Sequence, residues 1–195
     1  MMNGTRRSHA RGIALMEVLV SLVILLFGLL GLVGVSSRAN SSELEAYQRV
    51  QALQLLQDRA DRVNANRKVA SCYSNGATGT QFGTKYVGPP TCGTGSVQEQ
   101  TRAVADMTEW DKLLKGSALT DNGKAVGMIG ALGCVTQDAT IPNAYIIAVS
   151  WQGLAETAKP HTADGSAEFP CGKDAYSKAG LHRVLTTKVI LGALS

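Results

Sequence analysis

Gly12-Ile13-Ala14-Leu15-Met16-Glu17-Val18-Leu19-Val20 opens an apolar run that continues to Val35. From Val18 to Val35 no residue is charged; Ser21 is the sole polar side chain, and Gly28, Gly31 and Gly34 punctuate the run. Ile13 to Val35 is 23 residues, about 35 Å of helix at about 1.5 Å per residue. That length crosses a hydrocarbon core of about 30 Å. One acid, Glu17, stands four residues after Ile13. A carboxylate in a bilayer-spanning helix costs roughly 2.5–3.5 kcal/mol on insertion scales. Glu17 therefore implies a specific partner, and an amine is the simplest.

A cut between Gly12 and Ile13 would supply that amine. The twelve residues before the bond form a polar leader with Arg6, Arg7, Arg11 and no acid. In an ordinary secretory signal the apolar region precedes the cleavage site and is removed. Here it follows the site and stays with the mature chain. The arrangement resembles the leader of type IV prepilins, which a membrane aspartic peptidase cuts after Gly before methylating the new N-terminus. By that resemblance Ile13 is the first mature residue and Glu17 the fifth. The family's usual first residue is Phe, so Ile13 departs from the common pattern. The plainer alternative is an uncleaved signal anchor with an incidental Glu.

Length suggests one domain. Removing the leader leaves 183 of 195 residues and takes the 19 basic residues to 16 against 15 acidic. The net charge of +4 thus falls to +1 and gives no argument for nucleic-acid binding. It does give orientation. Arginines precede the span while Glu43 and Glu45 follow it, so the leader is expected in the cytoplasm and the remainder outside.

All four cysteines, Cys72, Cys92, Cys134 and Cys171, lie in the exported part. An even count in an oxidising compartment favours two disulfides, and four cysteines allow three connectivities. None sits in a C-x-x-C pair, which disfavours zinc or redox chemistry. Cys72–Cys92 and Cys134–Cys171 are the preferred pairs, because each closes a loop rich in Gly, Pro and Thr.

Past Val35, five residues between Ser36 and Ser42 (Ser36, Ser37, Asn40, Ser41, Ser42) weaken helix propensity. From there Ala46, Val50, Leu53, Leu56, Ala60 and Val63 recur at helical spacing, predicting one apolar stripe that faces a small domain. Glu45 with Arg49, and Asp58 with Arg62, fall on the opposite face as i,i+4 pairs. The helix is expected to end near Asn66. Residues 69–96 read as a loop with a short strand near Gln81–Val87. Val97 to Lys115 returns to helical spacing with Ala103, Met107 and Leu114, and Trp110 as a core anchor. Thr120-Asp121-Asn122-Gly123 reads as a turn, and Ala125 to Val135 as strand-like. In Ala144–Gln152, Tyr145, Ile147, Val149 and Trp151 share one face. After a long connection, Leu181 to Leu194 alternates again. Strands joined by loops argue for an antiparallel sheet. The expected fold is α+β: a long helix, membrane-spanning then amphipathic, on a small antiparallel sheet with disulfide-stapled loops. The expected divisions are a leader (1–12), a span (13–35), an amphipathic helix (36–67) and a head (68–195).

Further stretches are similar to the PilV family of minor pilins. They are Gly28-Leu29-Leu30-Gly31-Leu32, Asp61-Arg62-Val63-Asn64-Ala65-Asn66-Arg67, Asp106 with Glu109-Trp110, and Tyr145-Ile146-Ile147-Ala148-Val149-Ser150-Trp151-Gln152-Gly153, then Cys171 and the strand from Arg183. The resemblance implies a structural subunit that primes or joins a type IV pilus at the inner membrane and tip. Its implied partners are the prepilin peptidase, other minor pilins, the major pilin and the inner membrane. Glu17 would meet an Ile13 amine as the filament core excludes water, and Gly28, Gly31 and Gly34 would permit close helix approach. A pseudopilin of a type II secretion system carries the same signal, and a head that binds a host surface or DNA is a further alternative.

No phosphate-binding loop, dinucleotide fingerprint or G-x-S-x-G elbow is present. His9, His161 and His182 are scattered, and His161 with Asp164 and His182 makes a weak metal candidate. Asp121-Asn122-Gly123 lacks the later Glu of a calcium loop. No enzyme activity, cofactor, small-molecule substrate or nucleic-acid partner is expected.

Overall fold

Helix α1 runs from His9 to Ala65. The computed structural model describes residues 9–75, 79–86, 88–116, 120–121, 124–125 and 128–192, with no side-chain placement for 9–14. The chain divides into two units, Met1–Leu44 and Glu45–Ser195, and α1 contributes to both. The serine-rich stretch does not interrupt it. Ser41 and Ser42 donate their hydroxyls to the Ser37 and Arg38 carbonyls, both at 3.1 Å, so they bond back onto the helix instead of competing with it.

After α1 come a 3₁₀ turn (Arg67–Val69), α2 (Ala70–Ser74), β1 (Thr80–Gly83), α3 (Val97–Leu114), β2 (Thr120–Asp121), β3 (Lys124–Ala125), β4 (Leu132–Gln137), β5 (Ala144–Gln152) and β6 (His182–Ile190). Strands β1, β4, β5 and β6 form one antiparallel sheet in the order β1-β4-β5-β6. The fold class is α+β, as the alternation in Ala144–Gln152 implied. Strands β2 and β3 pair antiparallel around residues 122–123, which lie outside the described residues, as do Val87, 126–127 and the chain end from Ala193.

Helix α3 matches its expected bounds because its start is well capped. The Ser96 hydroxyl accepts from the Glu99 N–H while Glu99 accepts from the Ser96 N–H, a reciprocal capping box. Trp110 is fully buried and donates its indole N–H to the Leu55 carbonyl at 2.9 Å. Gly133 on β4 leaves room for that indole; a Cβ there would overlap it.

The head end of α1 corrects the expected stripe. Ala46, Val50 and Leu53 are exposed, and the buried positions are Gln48, Ala52, Leu56, Arg59 and Val63, with Asn66 buried just past the helix end. Leu56 and Val63 belong to both patterns. The true core face is rotated because aromatic rings from elsewhere give Arg59 a place inside. Its guanidinium lies 4.8, 5.2 and 4.7 Å from the ring centres of Tyr73, Phe82 and Trp110, a cation–π enclosure. Burial pulls its pKa down to about 9, so it stays charged at neutral pH. Its one hydrogen bond, at 3.5 Å, is to the Tyr73 carbonyl, while Nε and Nη1 have no partner among the described residues.

The expected Glu45–Arg49 pair is also replaced. Glu45 accepts from the Leu154 and Ala155 N–H groups at 3.0 and 3.2 Å and from Arg183 at 3.3 Å. Two backbone donors and a guanidinium hold a carboxylate better than one mobile side chain. Asp58 and Arg62 do pair, at 2.8 Å. Two further readings need correction. Residues 69–96 are not all loop, because Ala70, Cys72 and Tyr73 bury themselves as the helical turn α2. Ala125 to Val135 is not one strand, because Gly130 at φ 62° turns the chain before β4 begins at Leu132.

Both faces of β5 are covered. Tyr145, Ile147, Val149 and Trp151 join the core with Leu56 and Val63. Ala148 and Ser150, also buried, lie under the 153–181 connection, where Tyr176 donates to the Ser150 hydroxyl at 3.0 Å.

Candidate functional site

In the first unit every described side chain from Leu15 to Leu44 is exposed. Phe27 and Leu32 are each 69% exposed. Burying a side chain of that size contributes about 1.5–3 kcal/mol, so this surface calls for an apolar environment. The helix is long and apolar enough to cross a membrane.

Glu17 is exposed in the midst of it, and its carboxylate has no hydrogen bond or ion pair among the described residues. The Glu17 carbonyl accepts from Ser21 Oγ at 2.7 Å. At about 100° per residue, Glu17, Ser21, Gly28 and Gly31 fall within an arc of about 80° on one face. A Cβ on Gly28, Gly31 or Gly34 would meet nothing within 4 Å. Acid, hydroxyl and small residues thus share one strip, with Gly34 turned away. Gly12 and Ile13 lie within α1, but their side chains are outside the described placement.

The cysteines form Cys72–Cys92 and Cys134–Cys171, with Cα separations of 5.0 and 5.9 Å. The first ties α2 to the segment before α3; the second ties β4 to the connection that covers the sheet.

The structure does not bring the weak metal candidates together. His161 and Asp164 are exposed, and Asp164 is occupied by Thr162 and Ser166 at 2.6 and 2.7 Å. His182 is buried, its Nε2 2.9 Å from the Cys171 carbonyl and its Nδ1 3.8 Å from Glu168. Among the described residues no three His, Cys, Asp or Glu side chains group as a metal site. Burial lowers the His182 pKa against the pull of the Cys171 carbonyl and Glu168, which keeps the ring neutral beside the second disulfide.

Sequence reasoning missed Glu45 as a structural clamp. Burial alone would raise its pKa, but the Ala155 and Leu154 N–H groups and Arg183 outweigh this and hold it below the usual carboxylate range. The signal was an acid at the base of an amphipathic helix, but its partners lie more than one hundred residues away. Compared with family models, curated proteins and solved structures, the chain matches none.

Proposed function

We propose that this chain is a minor pilin of a type IV pilus: an exported, non-enzymatic subunit that takes part in priming and building the fibre from the inner membrane. The observation that carries the reading is the exposed apolar half of α1, with a single unpartnered acid four residues after a Gly–Ile junction.

In this reading the peptidase cuts between Gly12 and Ile13 and methylates the Ile13 amine. The span holds the subunit in the inner membrane with its head in the periplasm. On assembly α1 leaves the lipid and packs among other pilin helices. Glu17 then meets the Ile13 amine of a neighbour or its own, and pairing offsets the cost of burying both charges. The disulfides suit an oxidising compartment.

Intact mass of the protein from cells that contain the peptidase tests the processing. The mass should correspond to a chain beginning at Ile13, with or without one added methyl group. A mature species that retains Arg6 and Arg7 would overturn the reading. Crosslinking in membranes, followed by identification of the companion subunits, should recover pilus pilins instead of secretion pseudopilins.

A further inference from the structure

Two edges close the main sheet, and they are treated differently. Edge strand β1 has four residues and is flanked by Pro89-Pro90-Thr91, which Cys92 staples to Cys72. Edge strand β6 has nine residues, no proline and, among the described residues, no covering strand.

The register tells which of its backbone groups are free. Leu191 N–H donates to the Asn143 carbonyl and Gly153 N–H to the Leu181 carbonyl. Odd-numbered residues of β6 therefore face β5, and Val184, Thr186, Lys188 and Ile190 point their N–H and C=O groups away from it. None of these four makes a backbone hydrogen bond on that side among the described residues. Open edges are commonly guarded by charge. Here the two basic side chains of β6 are tied back, Arg183 to Glu45 at 3.3 Å and Lys188 to Asp138 at 2.6 Å.

A second feature adjoins the same edge. A cavity of about 360 Å³ lies between β6 and the head end of α1, lined by Glu45, Ala46, Arg49, Trp151, Arg183 and Leu185. Arg183 is neutralised by Glu45, whereas Arg49 has no partner among the described residues. The cavity therefore offers an apolar floor and one spare positive charge.

We propose that β6 accepts an extended segment of another protein as a fifth strand, with an acidic side chain of that segment reaching Arg49. Main-chain bonds to Val184, Thr186 and Lys188 supply affinity, and the cavity beside the strand selects the side chain. A second copy of β6 fits less well, because the strand carries no acid to reach Arg49. This does not depend on the pilin reading; the two can fail separately.

The test uses the full chain in detergent and two ten-residue peptides of alternating Val and Thr, one with a central Glu and one with a central Lys. Amide exchange at Thr186 and Lys188 is followed by mass spectrometry. The Glu peptide should slow exchange there by at least about fivefold, with the Lys peptide giving little protection. Thr186→Pro removes a donor that points away from β5 and should abolish protection at the Lys188 amide; Arg49→Glu should reverse the preference between peptides. Equal protection by both peptides, protection elsewhere only, or unchanged binding by both variants would overturn the proposal. So would protection present without peptide and lost on dilution, which would assign the edge to a second copy.

Discussion

Between Leu15 and Leu44 every described side chain of α1 is exposed, whereas between Gln48 and Val63 the same helix buries five positions. Both stretches contain leucines and valines. What separates them is the availability of partners within the chain. The head half meets Trp110, Phe82, Ile147 and Val149; the described side chains from Leu15 to Leu44 are all exposed. The N-terminal half is apolar on every side and long enough to cross a membrane. The head half needs only one face covered and can tolerate Val50 and Leu53 outside.

The sharpest way to break this contrast is to cut the same kind of contact in each half. Trp110→Ala should destabilise the head by about 3–5 kcal/mol, measured by thermal unfolding of the full chain in detergent with near-UV circular dichroism. Leu25→Ala in the span should leave that transition within about 0.5 kcal/mol. A comparable loss from Leu25→Ala would show that the halves are not energetically separate.

Replacing Cys134 and Cys171 together by Ser should cost about 2–4 kcal/mol in the same assay, because their bond holds the cover over the outer face of β5. Glu45→Ala should cost about 0.5–1.5 kcal/mol by removing its hydrogen bonds from the solvent-accessible Leu154 and Ala155 N–H groups and from Arg183. It should also raise amide exchange at Leu154 and Ala155. Unchanged exchange there would mean that Glu45 does not clamp the base of the head.

The smallest effect is pH-dependent. The His182 pKa is lowered in the fold by burial, so the unfolded chain binds the proton more readily. Stability then rises with pH, and its contribution is lost as pH falls below the ordinary value of about 6.5. The unfolding midpoint of the native protein should drop as pH falls below about 6.5, and His182→Gln should flatten that drop. Equal slopes would remove His182 as the cause.

How far the sequence could be read follows the same division. The long apolar helix was legible because an unbroken apolar run needs no partner to be recognised. Helix α3 was legible because Ala103, Met107 and Leu114 recur at helical spacing, and β5 because its alternation is strict. The cysteine pairs followed from the two Gly-, Pro- and Thr-rich loops they close. The core face of α1 was not legible, since Ala46, Val50, Leu53 and Ala52, Leu56, Val63 both recur at helical spacing. The choice between them depends on Arg59, which a local rule assigns to the solvent. Tyr73, Phe82 and Trp110 reverse that assignment from three separate segments. Glu45 was misread for the same reason, its local partner Arg49 losing to Leu154, Ala155 and Arg183.

The central claim is that the span half of α1 is built for other subunits, and Glu17 tests it most directly. A simple anchor loses nothing from Glu17→Ala and inserts up to about 3 kcal/mol more favourably on insertion scales. A pilin loses the carboxylate that meets the Ile13 amine. The measurement is complementation of a deletion strain at matched protein levels, scoring sheared pili and co-purifying pilins. Glu17→Ala should be cleaved and membrane-embedded yet recover few pilins and little surface pilus, with Glu17→Asp between it and the native chain. Full piliation and full recovery of partners with Glu17→Ala would contradict the account.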